Sequence, residues 1–138
     1  MSNELAHTLR QTVLHLARRV RAERADASMS DGKLSVLFVL MNEGAQTLGS
    51  LSEHERVTPP SMNRTINALV EQGFVTREAD ASDGRKVVID ISDAGRRLVK
   101  ETRRRRDAWF SSRLAALSPE DRAALDAAAP ILRRLADQ

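Results

Sequence analysis

The sequence predicts a mainly α-helical chain carrying one small β-hairpin, and three observations predict it. Through most of the chain apolar residues recur every three or four positions, the period of an amphipathic helix. Between Val75 and Ile91 that period drops to two, the signature of strands, on either side of a polar loop holding the turn pair Asp83-Gly84. Ser30, Thr47, Thr58, Ser92 and Ser118 each stand just ahead of a helical run, where a side-chain oxygen can accept from an unpaired N–H of the first turn.

The first helix is marked by Leu5, Leu9, Val13, Leu16 and Val20, a single narrow stripe, with Arg10, Arg18, Arg19, Arg21 and Arg24 on its other faces. Such a stripe suits a helix that packs against a partner, although an intramolecular core contact would use the same residues. Ser30 caps a second helix whose Leu34, Leu37, Phe38, Leu40 and Met41 make it largely buried, and Gly44 ends it. Thr47 caps a short third helix with Leu48 and Leu51 turned inward.

Thr58-Pro59-Pro60 is the clearest start signal in the chain, because proline at the first helical position gives up an N–H that would be unpaired anyway. Met62, Ile66, Leu69 and Val70 form the inner face of this fourth helix, and Gly73 closes it. Two strands follow, Val75 to Glu78 and Val87 to Ile91, with Val87, Ile89 and Ile91 on one face. Ser92-Asp93 opens a long helix to about Leu117, and Ser118-Pro119-Glu120-Asp121 opens the last. Pro130 lies inside the last helix's stripe of Leu125, Ala128, Ala129, Leu132 and Leu135. An interior proline costs about 3 kcal/mol, so a bend is expected between Asp126 and Pro130 if the helix continues.

A short helix, a tight turn, a second helix and then a hairpin is the winged helix-turn-helix arrangement, whose second helix enters the DNA major groove. On a helical wheel Ser61, Arg64, Asn67 and Ala68 fall opposite the inner face, with Asn63 and Thr65 at the flanks. Arginine pairs with guanine, asparagine with adenine, and serine with phosphate or base. The helix N-terminus, with its unpaired N–H groups, is expected to favour a phosphate. At the hairpin tip Asp83 can hold the Arg85 guanidinium in one orientation for insertion into a minor groove, with Lys86 beside it. The bland alternative is a set of solvated side chains and a surface ion pair worth about 0 to 1 kcal/mol. It is the Pro-Pro start, the Gly73 stop and the hairpin together that favour DNA.

Val57-Thr58-Pro59-Pro60-Ser61-Met62-Asn63-Arg64, Leu69 to Val75, Asp83-Gly84-Arg85 and Ile91 to Gly95 resemble the DNA-binding core of the MarR family of bacterial regulators, and the flanking helices match in length and order. The resemblance implies one MarR-like domain over 1–138, with a helical dimerisation lobe (1–29 and 93–138) and a winged helix-turn-helix lobe (30–92). It implies a homodimer on a pseudo-palindromic operator of double-stranded DNA, acting as a repressor. It also implies that a small aromatic or anionic effector binds between the lobes and releases the DNA. The DNA-binding residues it implies are Thr58, Pro60, Ser61, Met62, Asn63, Arg64 and Asn67 on the recognition helix and Asp83, Arg85 and Lys86 in the wing. Glu55 and Arg56 depart from the usual pattern, which marks the turn before the recognition helix as unusual, and Lys33 stands where many members have Gln.

Other classes find little support. The chain has no cysteine, which removes disulfides, thiolate metal sites and cysteine redox sensing. His7, His15 and His54 form no i,i+4 pair, and no nucleophile elbow or phosphate-cradling glycine loop is present, so neither an enzyme nor a cofactor or metal is expected. No apolar run approaches the roughly 18 residues of a membrane span, and the start lacks a basic signal region, so a cytoplasmic location is expected. A ligand-independent architectural DNA binder remains the competing reading. The formal charge of +3 is no argument for DNA by itself. From Thr47 to Asp90, Arg56, Arg64, Arg77, Arg85 and Lys86 are outnumbered by acids, so the cations must share one face. The arginine run 103–106 advances about 100° per residue and reads as solvated surface, with Arg105 paired to Glu101. Trp109 and Phe110 are expected in a dimer core.

Overall fold

The computed structural model describes residues 3–138. Six helices and three short strands follow in the order α1 (Asn3–Ala22), α2 (Asp31–Glu43), β1 (Gln46–Thr47), α3 (Leu48–Glu55), α4 (Pro59–Glu71), β2 (Val75–Ala79), β3 (Val87–Ile91), α5 (Asp93–Ala115) and α6 (Pro119–Asp137). Each expected cap is in place. Ser30, Thr47, Thr58, Ser92 and Ser118 accept from the N–H three residues on, at 3.1–3.3 Å. At the end of α4, Gly73 takes φ 81°. The N–H groups of Phe74 and Gly73 reach back to the carbonyls of Leu69 and Val70 at 2.9 and 3.0 Å, the paired closure that a left-handed glycine permits.

One core holds the middle of the chain together. Leu34, Leu37 and Leu40 of α2, Leu51 of α3, Met62, Ile66 and Leu69 of α4, Val75, Ile89 and Ile91 of the sheet, and Leu98 and Val99 of α5 are all buried in it. The first turns of α5 thus belong to the same packing unit as the helix-turn-helix. Phe38, Met41 and Leu48 are half-buried at its margin.

Two expectations change. The hairpin is part of a three-stranded antiparallel sheet, β1-β3-β2, because Gln46 and Thr47 pair with Ile89 and Val88. Val70 is 38% exposed, since the apolar stripe of α4 is wider than the core beneath it. Val87 shares a face with Ile89 and Ile91 as expected, and at 52% exposure it lies past the edge of the core. The last helix continues through Pro130 as α6. Pro130 and Asp126 both lie on exposed surface, where water can take up the carbonyl that the proline leaves unpaired.

The arginine run of α5 does more than face solvent. Arg106 donates to the Glu23 carbonyl (3.1 Å) and Arg105 to that of Arg24 (3.2 Å), filling acceptors left open where α1 ends. Arg103 and Arg106 both lie over the Phe38 ring, at 5.3 and 5.4 Å. Burial and the neighbouring Arg24 hold the Arg106 guanidinium below its usual pKa. Glu101 takes Arg105 as expected and also Arg104, at 3.2 and 2.7 Å. The hydrogen bonds from Arg104 and then Arg105 lower its carboxyl to about 2. A carboxylate depressed in the folded state stabilises the fold above its ordinary value near 4.5, and that contribution is lost as the pH falls toward 2. A carboxyl-detected NMR titration should therefore place Glu101 near 2, and a midpoint at the ordinary value would contradict these pairs.

Neither α1 nor α6 has a buried residue. Leu5, Val13, Leu16, Leu125, Ile131, Leu132 and Leu135 are 42–55% exposed, and Phe110 of α5 is 37% exposed beside them. Val13, Leu16 and Val20 of α1 face Leu132 and Leu135 of α6 across an open apolar groove of about 670 Å³.

Candidate nucleic-acid interface

The recognition-helix candidate α4 is fixed from beneath and open above. Met62, Ile66 and Leu69 anchor it to the core, while Asn63, Arg64 and Asn67 stand exposed on its outer side and Ser61 is half-buried. Thr58 and Pro60 are exposed at its start. Met62, which the resemblance had placed among the DNA contacts, is 2% exposed: it holds the helix in position and does not reach the surface. The expected phosphate site on bare N–H groups is also absent. Pro59 and Pro60 have no N–H, that of Ser61 is taken by the Thr58 hydroxyl (3.3 Å), and that of Met62 bonds the Thr58 carbonyl (2.9 Å). The helix start offers its dipole, not free donors.

Hydrogen bonds pre-set the outer side chains. Arg64 folds back toward the helix start and donates to the Ser61 hydroxyl at 3.2 Å. Asn63 accepts from Arg77 of β2 at 3.0 Å. Arg77 lies outside the set of DNA contacts that the sequence predicts. The strand period does flag it, since Arg77 shares the inward parity of Val75 and so is a cation on the sheet face that meets α4.

The turn ahead of α4 is unusual, as Glu55 and Arg56 foretold. Arg56 adopts the left-handed conformation, φ 55° and ψ 45°. The Glu55 carboxylate is turned away to accept from the Ser35 hydroxyl at 2.5 Å.

In the wing, Asp83 accepts from the backbone N–H of Arg85 (3.1 Å) and from its Nε (3.3 Å). The Arg85 side chain is nevertheless 93% exposed, so it is aimed outward without being covered. Lys86 is exposed beside it, and its backbone is pinned by bonds to Asp83 and Asp80. Asp80 in turn accepts the Ser82 N–H and hydroxyl, both at 2.9 Å, which holds its carboxyl below the usual range and stiffens the loop.

Three of the acids that outnumber the cations lie off the outer face of α4. Glu71 ends α4, Glu55 is turned toward α2, and Glu78 occupies the sheet face opposite Arg77. Arg64 and Arg77 are left on the recognition surface, with Arg85 and Lys86 at the tip. Among the described residues no cluster of His, Asp and Glu could hold a metal, and no helix is long and apolar enough to cross a membrane.

A core-anchored helix with a polar outer face, beside a cation-tipped hairpin, defines a winged-helix DNA-binding protein. The comparisons agree and narrow the class. The model of the MarR family matches residues 29–87. An HTH-type transcriptional regulator of Mycobacterium bovis is 42% identical over 134 residues, 97% of this chain and 94% of its own. A solved putative transcriptional regulator of Pseudomonas aeruginosa is 31% identical and superposes with a TM-score of 0.88, over 98% of this chain and 96% of its own. A Bordetella bronchiseptica protein, whose DNA binding is regulated by 6-hydroxynicotinic acid, shares the fold at 22% identity, with a TM-score of 0.65 over 96% of this chain and 93% of its own. The chain belongs to the MarR family of DNA-binding transcription regulators, and its relatives are regulators rather than enzymes.

Proposed function

We propose that the protein is a cytoplasmic homodimeric repressor that reads a pseudo-palindromic operator, α4 lying in the major groove and the wing, residues 79–86, entering the minor groove. Thr58, Pro60, Ser61, Asn63, Arg64 and Asn67 line the first contact, and Asp83, Arg85 and Lys86 the second. The observation that carries the dimer is the exposure of α1 and α6. A 19-residue helix about 28 Å long that buries nothing gains too little from propensity to stand in water. A second copy covering the groove between Val13, Leu16 and Leu132 supplies the missing packing. In this reading 1–29 and 93–138 form the dimerisation lobe and 30–92 the DNA lobe, with α5 rooted in both.

For the effector, a niche of about 160 Å³ lies between α1, α2 and α5, lined by Arg21, Arg106, Ser35, Asp31, Leu34 and Phe38. Two guanidinium groups and a ring suit a small aromatic anion. The volume is below the roughly 300–1,000 Å³ of drug-sized sites, so one ring is the upper limit. A thermal-shift screen with single-ring carboxylates separates this reading from a ligand-independent architectural binder, because binding to the folded state raises Tm.

DNA binding itself is tested on duplexes selected from a random pool. Affinity should fall steeply with salt, by a slope of about −0.9 for each phosphate contacted, and a flat response would contradict a phosphate grip. Arg85→Ala should weaken binding and leave the dimer intact. Monomers from that variant would instead make Arg85 structural.

A further inference from the structure

Arg77 pairs with Ile89 across the sheet and so faces the same side as the buried Val75 and Ile89, yet it lies beyond the edge of the core and is exposed. There its guanidinium meets the side chain of Asn63 at 3.0 Å. A guanidinium has donors and no acceptor, so the amide atom turned toward it must be the oxygen, however the amide would otherwise rotate. The NH2 group of the same planar amide is then directed away from Arg77. Asn63 stands on the exposed side of α4 next to Arg64, and that NH2 is what it has left to offer the groove.

We propose that Arg77 is a positioning residue that sets which base Asn63 reads. An asparagine free to turn pairs with adenine through both amide atoms, accepting from N6 and donating to N7. With the oxygen turned toward Arg77 and one of its two lone pairs taken, the amide points its NH2 outward and meets the groove as a donor. Its favoured partner is then guanine, whose N7 and O6 are both acceptors, over adenine, whose N6 is a second donor. The wing strand thereby selects sequence through the recognition helix without touching a base. This inference rests on α4 being the major-groove helix.

The test is selection of duplexes from a random pool by the full-length protein and by Arg77→Ala, Asn63→Ala and the double variant, with affinities measured for guanine and adenine at the Asn63 position. That position is located as the one whose preference Asn63→Ala abolishes. The parent should prefer guanine there by about 10-fold. Arg77→Ala should shift the preference at that position from guanine toward adenine, and the double variant should show the indifference of Asn63→Ala. Uniform weakening across all sequences in Arg77→Ala, with the preference kept, would show that Arg77 is a plain phosphate contact and overturn the proposal. So would adenine preference in the parent. If the parent retains no duplex at low salt, the assignment of α4 fails as well, which separates that failure from the loss of Arg77's role alone.

Discussion

Leu16→Glu should yield a monomer that no longer holds its operator. Leu16 is 42% exposed in the isolated chain, so a carboxylate there stays hydrated until a partner covers it. Once covered it becomes a buried charge without a counter-ion, which costs about 3 kcal/mol, and two-fold symmetry enters that cost twice. The dimer Kd should rise by about 10⁴. Operator affinity should fall with it, because a lone protomer keeps one recognition helix and one wing. Analytical ultracentrifugation checks the first effect and a duplex-binding titration the second. A Leu16→Glu variant that remains dimeric would move the interface off α1.

Gly95→Ala should destabilise the fold by about 2 kcal/mol or more, against the usual gain of about 1 kcal/mol when alanine replaces glycine within a helix. A Cβ at position 95 would run into the Phe74 carbonyl oxygen and lie 2.6 Å from Cγ1 of Ile91. The carbonyl cannot retreat freely. It accepts from the Ser92 N–H at 3.0 Å, and the Ser92 hydroxyl bonds both the Gly73 carbonyl (2.6 Å) and the Gly95 N–H (3.1 Å). The junction between α4, the sheet and α5 is built around the missing side chain. Because dimer stability depends on concentration, urea unfolding should be compared at one protomer concentration. Gly95→Ala as stable as the parent would mean that the junction relaxes without loss.

What was legible in the sequence was what is local. Each cap joins residues three apart, so Ser30, Thr47, Thr58, Ser92 and Ser118 could be assigned from spacing alone, and the change of period at Val75 marked the sheet. Features that depend on distant segments were missed. β1 is two residues long and is a strand only because β3, some forty positions on, pairs with it. The bonds of Arg105 and Arg106 to carbonyls at the end of α1 span more than eighty residues, which no periodicity reveals. In the candidate site the outward set of α4 followed from the helical wheel, while Met62 shows how a family motif mixes anchors with contacts. Two signals were in reach and went unused. One was the inward parity of Arg77. The other was that successive prolines and a capping threonine leave the start of α4 without free N–H groups.

The central claim is that two copies of this chain grip one duplex through paired helices and wings. Sedimentation equilibrium of the protein with a selected operator duplex, at low ionic strength, tests it most directly. The expected complex holds two protomers per duplex across protomer concentrations that saturate the DNA. One protomer per duplex at saturation, or no complex at all, would contradict it.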